Sequence, residues 1–458
     1  MSIIIDLTLN SNRSSNKVIK ETAEKEMSFR IKKDSLYVFL FLLMYKLILD
    51  YTYIHFVNEK YAYSGFILDI SKEKYLISLF YFVTTFFILP KTMEKVSYVF
   101  LQLHFIIMVI PMLTLYAFMD ESSIFMFWVI FFFDMQIIIM RIAPNIKLVR
   151  IKNSKKILKY LIVAISIFVY GSMIKANGIP SLRALSFINV YDIRAKVKYP
   201  FLMGYMVAWQ AKVVNPFLMS TSLIEKNKIK LLIAILMQLL IYLITAHKSF
   251  ILIPFAIIAV MFIVKKANFI VLGSVLAPIG IYISYLADKL FNILLLPSLF
   301  IRRFLFVPAQ LKFYYYSFIK ENEYLYFSEG MIGKLLGLKS PYGIKFVHLI
   351  GYLYFNNVNT GANTGYLADG YANMGVFGML LVTALLIVIF IIIDSISQYA
   401  GKEITIGLSL FLIMGLNDGA LLTTLLTGGL LLLMVILYLY SSGITIQKEE
   451  DYIADYMQ

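Results

Sequence analysis

The sequence predicts an all-α polytopic membrane protein of about twelve transmembrane helices, with a large, mostly helical outer loop between the ninth and tenth spans. Three observations predict it. The 458-residue chain is 60% hydrophobic, with a mean hydropathy of +0.79, where soluble domains are roughly 45–50% apolar. The apolar residues are blocked into runs such as 371–394 and 420–440, and about 20 helical residues cross a hydrocarbon core. Lysine and arginine also alternate in abundance from one loop to the next, as they do where basic loops stay on the cytoplasmic side.

Residues 1–34 are polar and basic, with Arg13, Lys17, Lys20, Lys25, Arg30, Lys32 and Lys33, and read as a cytoplasmic tail. Its opening Ile3-Ile4-Ile5 is too short for a signal-peptide core. The bundle occupies 35–440, with candidate spans at 35–57, 75–90, 97–119, 124–140, 157–176, 201–220, 231–246, 249–264, 268–286, 371–394, 403–417 and 420–440. Segment 291–301 reads as a re-entrant or interfacial piece, and 441–458 as a second cytoplasmic tail. No internal repeat stands out.

Loop charge sets the orientation. Loop 141–156 carries Arg141, Lys147, Arg150, Lys152, Lys155 and Lys156, and loop 221–230 carries Lys226, Lys228 and Lys230. The turns 120–123 and 418–419 carry acids and no Lys or Arg, which makes them outer turns. Both termini then lie on the cytoplasmic side of the membrane. Two outer loops break the bias: 177–200, with Arg183, Arg194, Lys196 and Lys198, and the loop 287–370, with Lys289, Arg302, Arg303, Lys312, Lys320, Lys334, Lys339 and Lys345. Solvated charge accounts for any one of these; their clustering points to an anion site outside the membrane. The large loop also holds Phe313-Tyr314-Tyr315-Tyr316, Tyr324-Leu325-Tyr326-Phe327 and Tyr352-Leu353-Tyr354-Phe355. That aromatic density can build a folded cap, pack on sugar rings or form an interfacial belt.

Several charges fall inside spans. Lys46 and Asp50 stand at i, i+4 and can pair. Asp134 is either a functional acid or a helix–helix hydrogen bond. Span 201–220 contains Gln210, Lys212, Asn215 and Pro216 and is expected to line a water-filled cavity. Lys248, in His247-Lys248-Ser249, can meet a phosphate at the membrane surface or snorkel.

The sequence also excludes chemistry. With no cysteine there are no disulfides or thiolates. The four histidines, His55, His104, His247 and His348, are too scattered for a transition-metal site. Gly330-Met-Ile-Gly333-Lys334 lacks Walker A spacing. Neither an Asp-x-Asp motif nor a Gly-x-Ser-x-Gly elbow occurs. Arg and Lys, rather than a metal, are available for anions.

The segment Asn363-Thr364-Gly365-Tyr366-Leu367-Ala368-Asp369-Gly370-Tyr371-Ala372-Asn373-Met374-Gly375-Val376-Phe377-Gly378 resembles the signature of O-antigen and capsule repeat-unit polymerases, the Wzy type, among the membrane glycosyltransferases of the GT-C superfamily. Arg302-Arg303-Phe304, Pro308-Ala309 and Tyr314-Tyr315-Tyr316 are similar to the start of that family's large outer loop, and Gly178-Ile179-Pro180 with Arg194 to its earlier basic loop. O-antigen ligases carry a His-Asn pair where this chain has Asn363-Thr364, which favours polymerase over ligase.

The resemblance implies a polymerase of lipopolysaccharide O-antigen or capsular polysaccharide, acting on the outer, periplasmic side. It implies a donor and an acceptor oligosaccharide, each on undecaprenyl diphosphate, with membrane lipids, a chain-length regulator and a flippase as partners. No cofactor, nucleotide or metal is called for, and no nucleic acid. An acceptor hydroxyl attacks the anomeric carbon and lipid diphosphate leaves, so cations at the leaving group lower the barrier. Arg194, Arg302 and Arg303 are the expected diphosphate ligands, with Lys248 and Arg183 behind them. Asp369, His348, Asn363 and Tyr366 are the candidates for orienting or deprotonating the hydroxyl. Asp369-Gly370 is equally an ordinary turn, and His348 equally a packed loop histidine. A flippase for the same lipid-linked unit would share the span count. It would not need the long aromatic loop, and its usual repeat symmetry is not evident.

Overall fold

The computed structural model describes residues 35–178, 180 and 190–456, and among these the chain is helical, with no strand beyond an isolated bridge between Asp69 and Met119. In chain order the first elements are α1 (Ser35–Ser64), α2 (Lys72–Ile88), α3 (Val96–Phe118), α4 (Ser123–Ile142), α5 (Ser154–Asn177), the short α6 (Val190–Lys196), α7 (203–224), α8 (Lys228–Thr245), α9 (Lys248–Lys266) and α10 (Phe269–Phe291). The large loop supplies α11 (Val307–Ile319), α12 (Met331–Leu336) and α13 (Phe346–Phe355). The chain closes with α14 (Tyr366–Ala400), α15 (Lys402–Met414), α16 (Leu421–Leu426) and α17 (Leu430–Tyr456). Side-chain oxygens start several of them. Ser71, Ser122, Asn227 and Asn268 accept hydrogen bonds from the free backbone N–H groups of α2, α4, α8 and α10.

Among the described residues, eight helices are long and apolar enough to cross a membrane: α1, α3, α4, α5, α8, α9, α10 and α14. The other four expected spans fall on different material. α2 has 17 residues, α7 is polar, α15 has 13 residues, and α17 is apolar only over Leu430–Gly443. Segment 291–301 breaks after α10 at Asn292 and becomes helical again from Leu295, with π geometry over Ser298–Phe306 running straight into α11.

α3 is the axis of the bundle. Every residue from Val96 to Phe118 is buried, which fits a helix that is apolar all round. Loops alternate between two ends of the bundle. At one end Lys95 donates to Met140 O and Ala143 O (both 2.7 Å), Asn268 Nδ2 to Lys91 O (2.8 Å), and Ile146 N to Ser395 Oγ (2.9 Å). At the other, Asp69 bridges Met119 and Lys74 pairs with Asp120 (2.7 Å).

The 418–419 segment is not a simple outer turn. α15 runs beside α3: His104 Nε2 lies 3.0 Å from Ile413 O, and Asn417 Nδ2 donates to Ile107 O at 3.3 Å. Ile107 is midway along α3, so α15 stops inside the bundle. Residues 415–429 form an interruption before α17 returns. α11 closes the space beyond it. Gln310 on one face reaches Ser64 O (3.3 Å), while Lys312 on another reaches Asn417 O (2.6 Å).

Span 201–220 also behaves differently from expectation. Gln210 and Asn215 are fully buried between helices rather than set along a cavity. Gln210 Nε2 donates to Asn215 Oδ1 (2.7 Å) and Ser166 Oγ (3.1 Å), and Asn215 Nδ2 to Gln238 Oε1 (2.8 Å) and the Tyr170 hydroxyl (3.0 Å). A π segment, Gln210–Val214, makes this possible by turning positions 210 and 215 to one side. Asp134 accepts from Thr85 Oγ1 at 2.9 Å, the helix–helix bond that was one of its two readings. Lys46 and Asp50 pair at 2.6 Å, with Thr114 Oγ1 donating to Asp50 at 2.8 Å.

That pair is buried, so removing one partner strands the other. Lys46→Met is expected to lower stability by about 3–5 kcal/mol. The double variant Lys46→Met/Asp50→Leu is expected to recover most of the loss, with thermal unfolding in detergent as the measurement.

Candidate functional site

The signature segment folds as a sharp kink. α14 starts just after Gly365, runs to Asn373, breaks at Met374 (φ −153°, ψ 31°) and Gly375 (φ +61°, ψ −144°), and resumes to Ala400. The chain turns so tightly that Gly370 and Gly378 meet: a Cβ on Gly370 would lie 2.8 Å from Gly378 O. Gly375 holds a backbone conformation that other residues rarely adopt, with the Tyr324 hydroxyl 2.7 Å from where a Cβ would stand. Segment 325–327 is stapled to this kink. Leu325 N donates to Ala372 O (2.9 Å), Tyr326 N to Asn373 O (3.0 Å) and Phe327 N to Asn373 Oδ1 (2.8 Å). Asn373 Nδ2 in turn donates to Asp369 O at 2.8 Å.

Asp369 is half-buried on the first turn of α14, and Glu329 of the large loop is its charged neighbour. Glu329 Oε1 accepts from Phe346 N (2.8 Å) and Ser340 Oγ (3.2 Å). It therefore caps α13, the helix that carries His348. His348 is half-buried, and its Nδ1 has no hydrogen-bond partner. Both acids also lie near Tyr315, whose hydroxyl donates to Ala362 O at 2.8 Å. The structure thus gathers Asp369 and Glu329 at one junction, with His348 on the helix that Glu329 caps. Asn363 is exposed on the preceding loop. Tyr366 points elsewhere: fully buried, its hydroxyl accepts from Gln136 Nε2 (2.8 Å) and its ring stacks on His104 (centroids 6.0 Å). It holds α14 to α4 and is not placed to meet a substrate hydroxyl.

Lys312 joins this junction to a second polar region. It is fully buried, and its ammonium donates to Pro308 O (3.1 Å), Asn417 O (2.6 Å) and Asn417 Oδ1 (2.9 Å). A Cβ at Gly365 would sit 2.8 Å from Lys312 Cε and 2.6 Å from Asn417 O, so glycine is needed there for close approach. Beyond Asn417, Asp418 is exposed in the interruption and faces both Lys312 and Lys212. Lys212 and Arg194 in turn both act on His247. Lys248, exposed, opens α9 beside it. Trp209 fixes the wall by donating to Leu426 O at 2.6 Å. The result is a polar track from Arg194 through His247, Lys212 and Asp418 to Lys312.

Arg302 and Arg303 are held on other elements. The Arg302 guanidinium lies 4.2 Å from the centre of the Tyr61 ring and donates to Ser298 Oγ at 3.5 Å, while Arg303 is exposed next to it. The expected diphosphate ligands therefore fall into two groups. Arg183 lies outside the described residues. Lys212, Lys312 and Asp418 had read as cavity, loop and turn residues. Glu329 carried no motif at all, and only its fold-dependent approach to Asp369 marks it.

Compared with known proteins, the chain matches no family model, and no curated protein or solved structure gives a match.

In the turn between α3 and α4, burial pushes the Glu121 carboxyl from 4.5 up to about 7, with Lys74 opposing. Between these two values the folded chain binds more protons than the unfolded one, so stability falls as pH rises through that window. Thermal melts of Glu121→Gln from pH 5 to pH 8 are expected to lose this decline. Gly375→Ala forces a side chain into a strained conformation and is expected to cost on the order of 1–3 kcal/mol, read in the same melts.

Proposed function

We propose that this chain is a metal-independent glycosyltransferase that polymerises oligosaccharide repeat units carried on undecaprenyl diphosphate into O-antigen or capsular polysaccharide. The observation that carries the reading is the convergence of the signature kink, the large loop and the basic track at one place. Lys312 packs on Gly365 at the start of the helix that carries Asp369, and Asp418 lies in the field of Lys312 and Lys212.

In this reading the basic track takes the diphosphate. Arg194, Lys212 and Lys248 offer cations where negative charge grows on the leaving group. The Asp369–Glu329 junction takes the acceptor. Asp369 is the carboxylate that accepts the proton of the attacking hydroxyl, and Glu329 holds the wall of the loop beside it. His348 is the alternative base on the same rim. Arg302 and Arg303, being separate from the track, suit the diphosphate of the second lipid-linked substrate. The resemblance to the polymerases supports a bacterial inner (plasma) membrane, and the loop charges support termini in the cytoplasm with this site on the outer side.

One observation favours a second reading, a flippase. α15 is a half-length helix that stops at an interruption carrying Asp418, and broken helices of this kind form binding sites in transporters.

Purified protein given its native lipid-linked repeat unit, without ATP or added metal, is expected to make a glycan ladder. Arg194→Ala and Lys212→Ala are each expected to slow it by about 10²–10³, and Asp369→Asn by about 10²–10⁴. If no ladder forms and the same protein moves the lipid across proteoliposomes, the flippase reading replaces the polymerase.

A further inference from the structure

The loop between α11 and α13 contains an excursion, residues 330–345, that no span accounts for. Its sequence is Gly-Met-Ile-Gly-Lys-Leu-Leu-Gly-Leu-Lys-Ser-Pro-Tyr-Gly-Ile-Lys. Four of its aliphatic side chains are exposed: Leu335 at 83%, Leu336 at 65%, and Leu338 and Ile344 as well. Exposed leucines on α1 or α10 have the hydrocarbon core to face. These stand on a loop instead.

The excursion is nonetheless built. Glu329 ties its two ends together through Phe346 N and Ser340 Oγ, Leu338 N closes α12 on Gly333 O at 2.8 Å, and the Tyr342 hydroxyl donates to Glu323 O at 2.5 Å. Tyr342 also packs on Phe318 and Phe346. The leucines are therefore held outward by an ordered base. All of the excursion's charge is positive: Lys334, Lys339 and Lys345, all exposed, with no acid between 330 and 345. The acids of this region, Glu321, Glu323 and Glu329, come before it.

We propose that residues 330–345 form an interfacial anchor that lies on the surface of the chain's own bilayer, with the leucines in the acyl boundary and the lysines among anionic headgroups. Apolar side chains interleaved with cations match that surface in both respects. A protein partner would have to bring acids against three lysines and apolar area against four aliphatic side chains. A bilayer containing anionic lipid, which a multi-pass chain cannot avoid, supplies both. The anchor also has a mechanical link inward. Its base is the carboxylate of Glu329, the neighbour of Asp369, so seating the excursion on the membrane fixes one wall of the carboxyl junction.

The chain has no cysteine, so one introduced thiol reports one place. Leu335→Cys is labelled with an environment-sensitive fluorophore, and the protein is reconstituted into vesicles of phosphatidylcholine alone or with phosphatidylglycerol. Asn322→Cys, exposed between Glu321 and Glu323, gives the water-facing baseline. The expected result at 335 is emission shifted to shorter wavelength and quenched by spin-labelled lipid, more strongly with phosphatidylglycerol. Replacing Lys334, Lys339 and Lys345 by Gln is expected to lose roughly fivefold of that lipid preference per lysine, the weight of one surface cation. Two results overturn the proposal. One is emission at 335 as water-exposed as at 322 in both vesicles. The other is shifted emission that ignores the lipid quencher and follows protein density, which would mean another copy covers the leucines. Neither readout depends on glycan synthesis, so failure of the anchor and failure of the polymerase reading are separable.

Discussion

A lysine ammonium sealed inside a helical bundle must be given oxygens, and Lys312 is given three. Two of them come from Asn417, where α15 ends halfway along α3, and one from Pro308 in its own helix. Much else follows from that satisfaction. The interruption at 415–429 can exist because a helix of the large loop comes to meet it. Asn417 passes the constraint on to Ile107 in the axis of the bundle. The lysine's aliphatic stem lies over Gly365, so the start of α14 can come close only without a side chain. Leaving a buried ammonium unpaired would cost far more than any of these contacts gains alone. The large loop is therefore part of the bundle's interior rather than an appendage.

This arrangement also organises the chemistry. Acids and cations are kept apart, although both are needed near one reacting bond. Asp369 and Glu329 stand where the loop is stapled to the kink, and the cations stand along α6, α7 and the start of α9. If they mixed, each would neutralise the other as an ion pair and neither would be free for a substrate. Lys312 and Asp418 occupy the border.

The helical class, the long apolar runs and the charge bias of the loops were legible in the sequence because they are composition and periodicity. The Lys46–Asp50 pair was legible from i, i+4 spacing. The kink region was legible as a motif, but its physical cause was not. Nothing in Gly370 and Gly378 read separately says that their backbones touch. The discontinuity at 415–429 was hidden because a half-length helix and a short span look alike in hydropathy. Gln210 and Asn215 misled for a geometric reason. At α-helical spacing they stand about 140° apart, so they suggested a polar surface. One π segment brings them to a shared face and into bonding distance. Glu329 was invisible because its meaning depends on Asp369, forty residues away in the chain.

The π segments at Tyr53–Asn58, Phe105–Val109, Gln210–Val214 and Ser298–Phe306 have a consequence for the ancestry of the chain. Each π turn takes up one residue more than an α-turn would, so each has the geometry that a single-residue insertion into an α-helix would produce. Past such a point every later side chain has rotated relative to the earlier ones. Two chains sharing a common descent would then agree in helical face only after a one-residue gap is opened there. Those four positions are where this chain's helices can be expected to differ in length from its kin while the packing on either side stays the same.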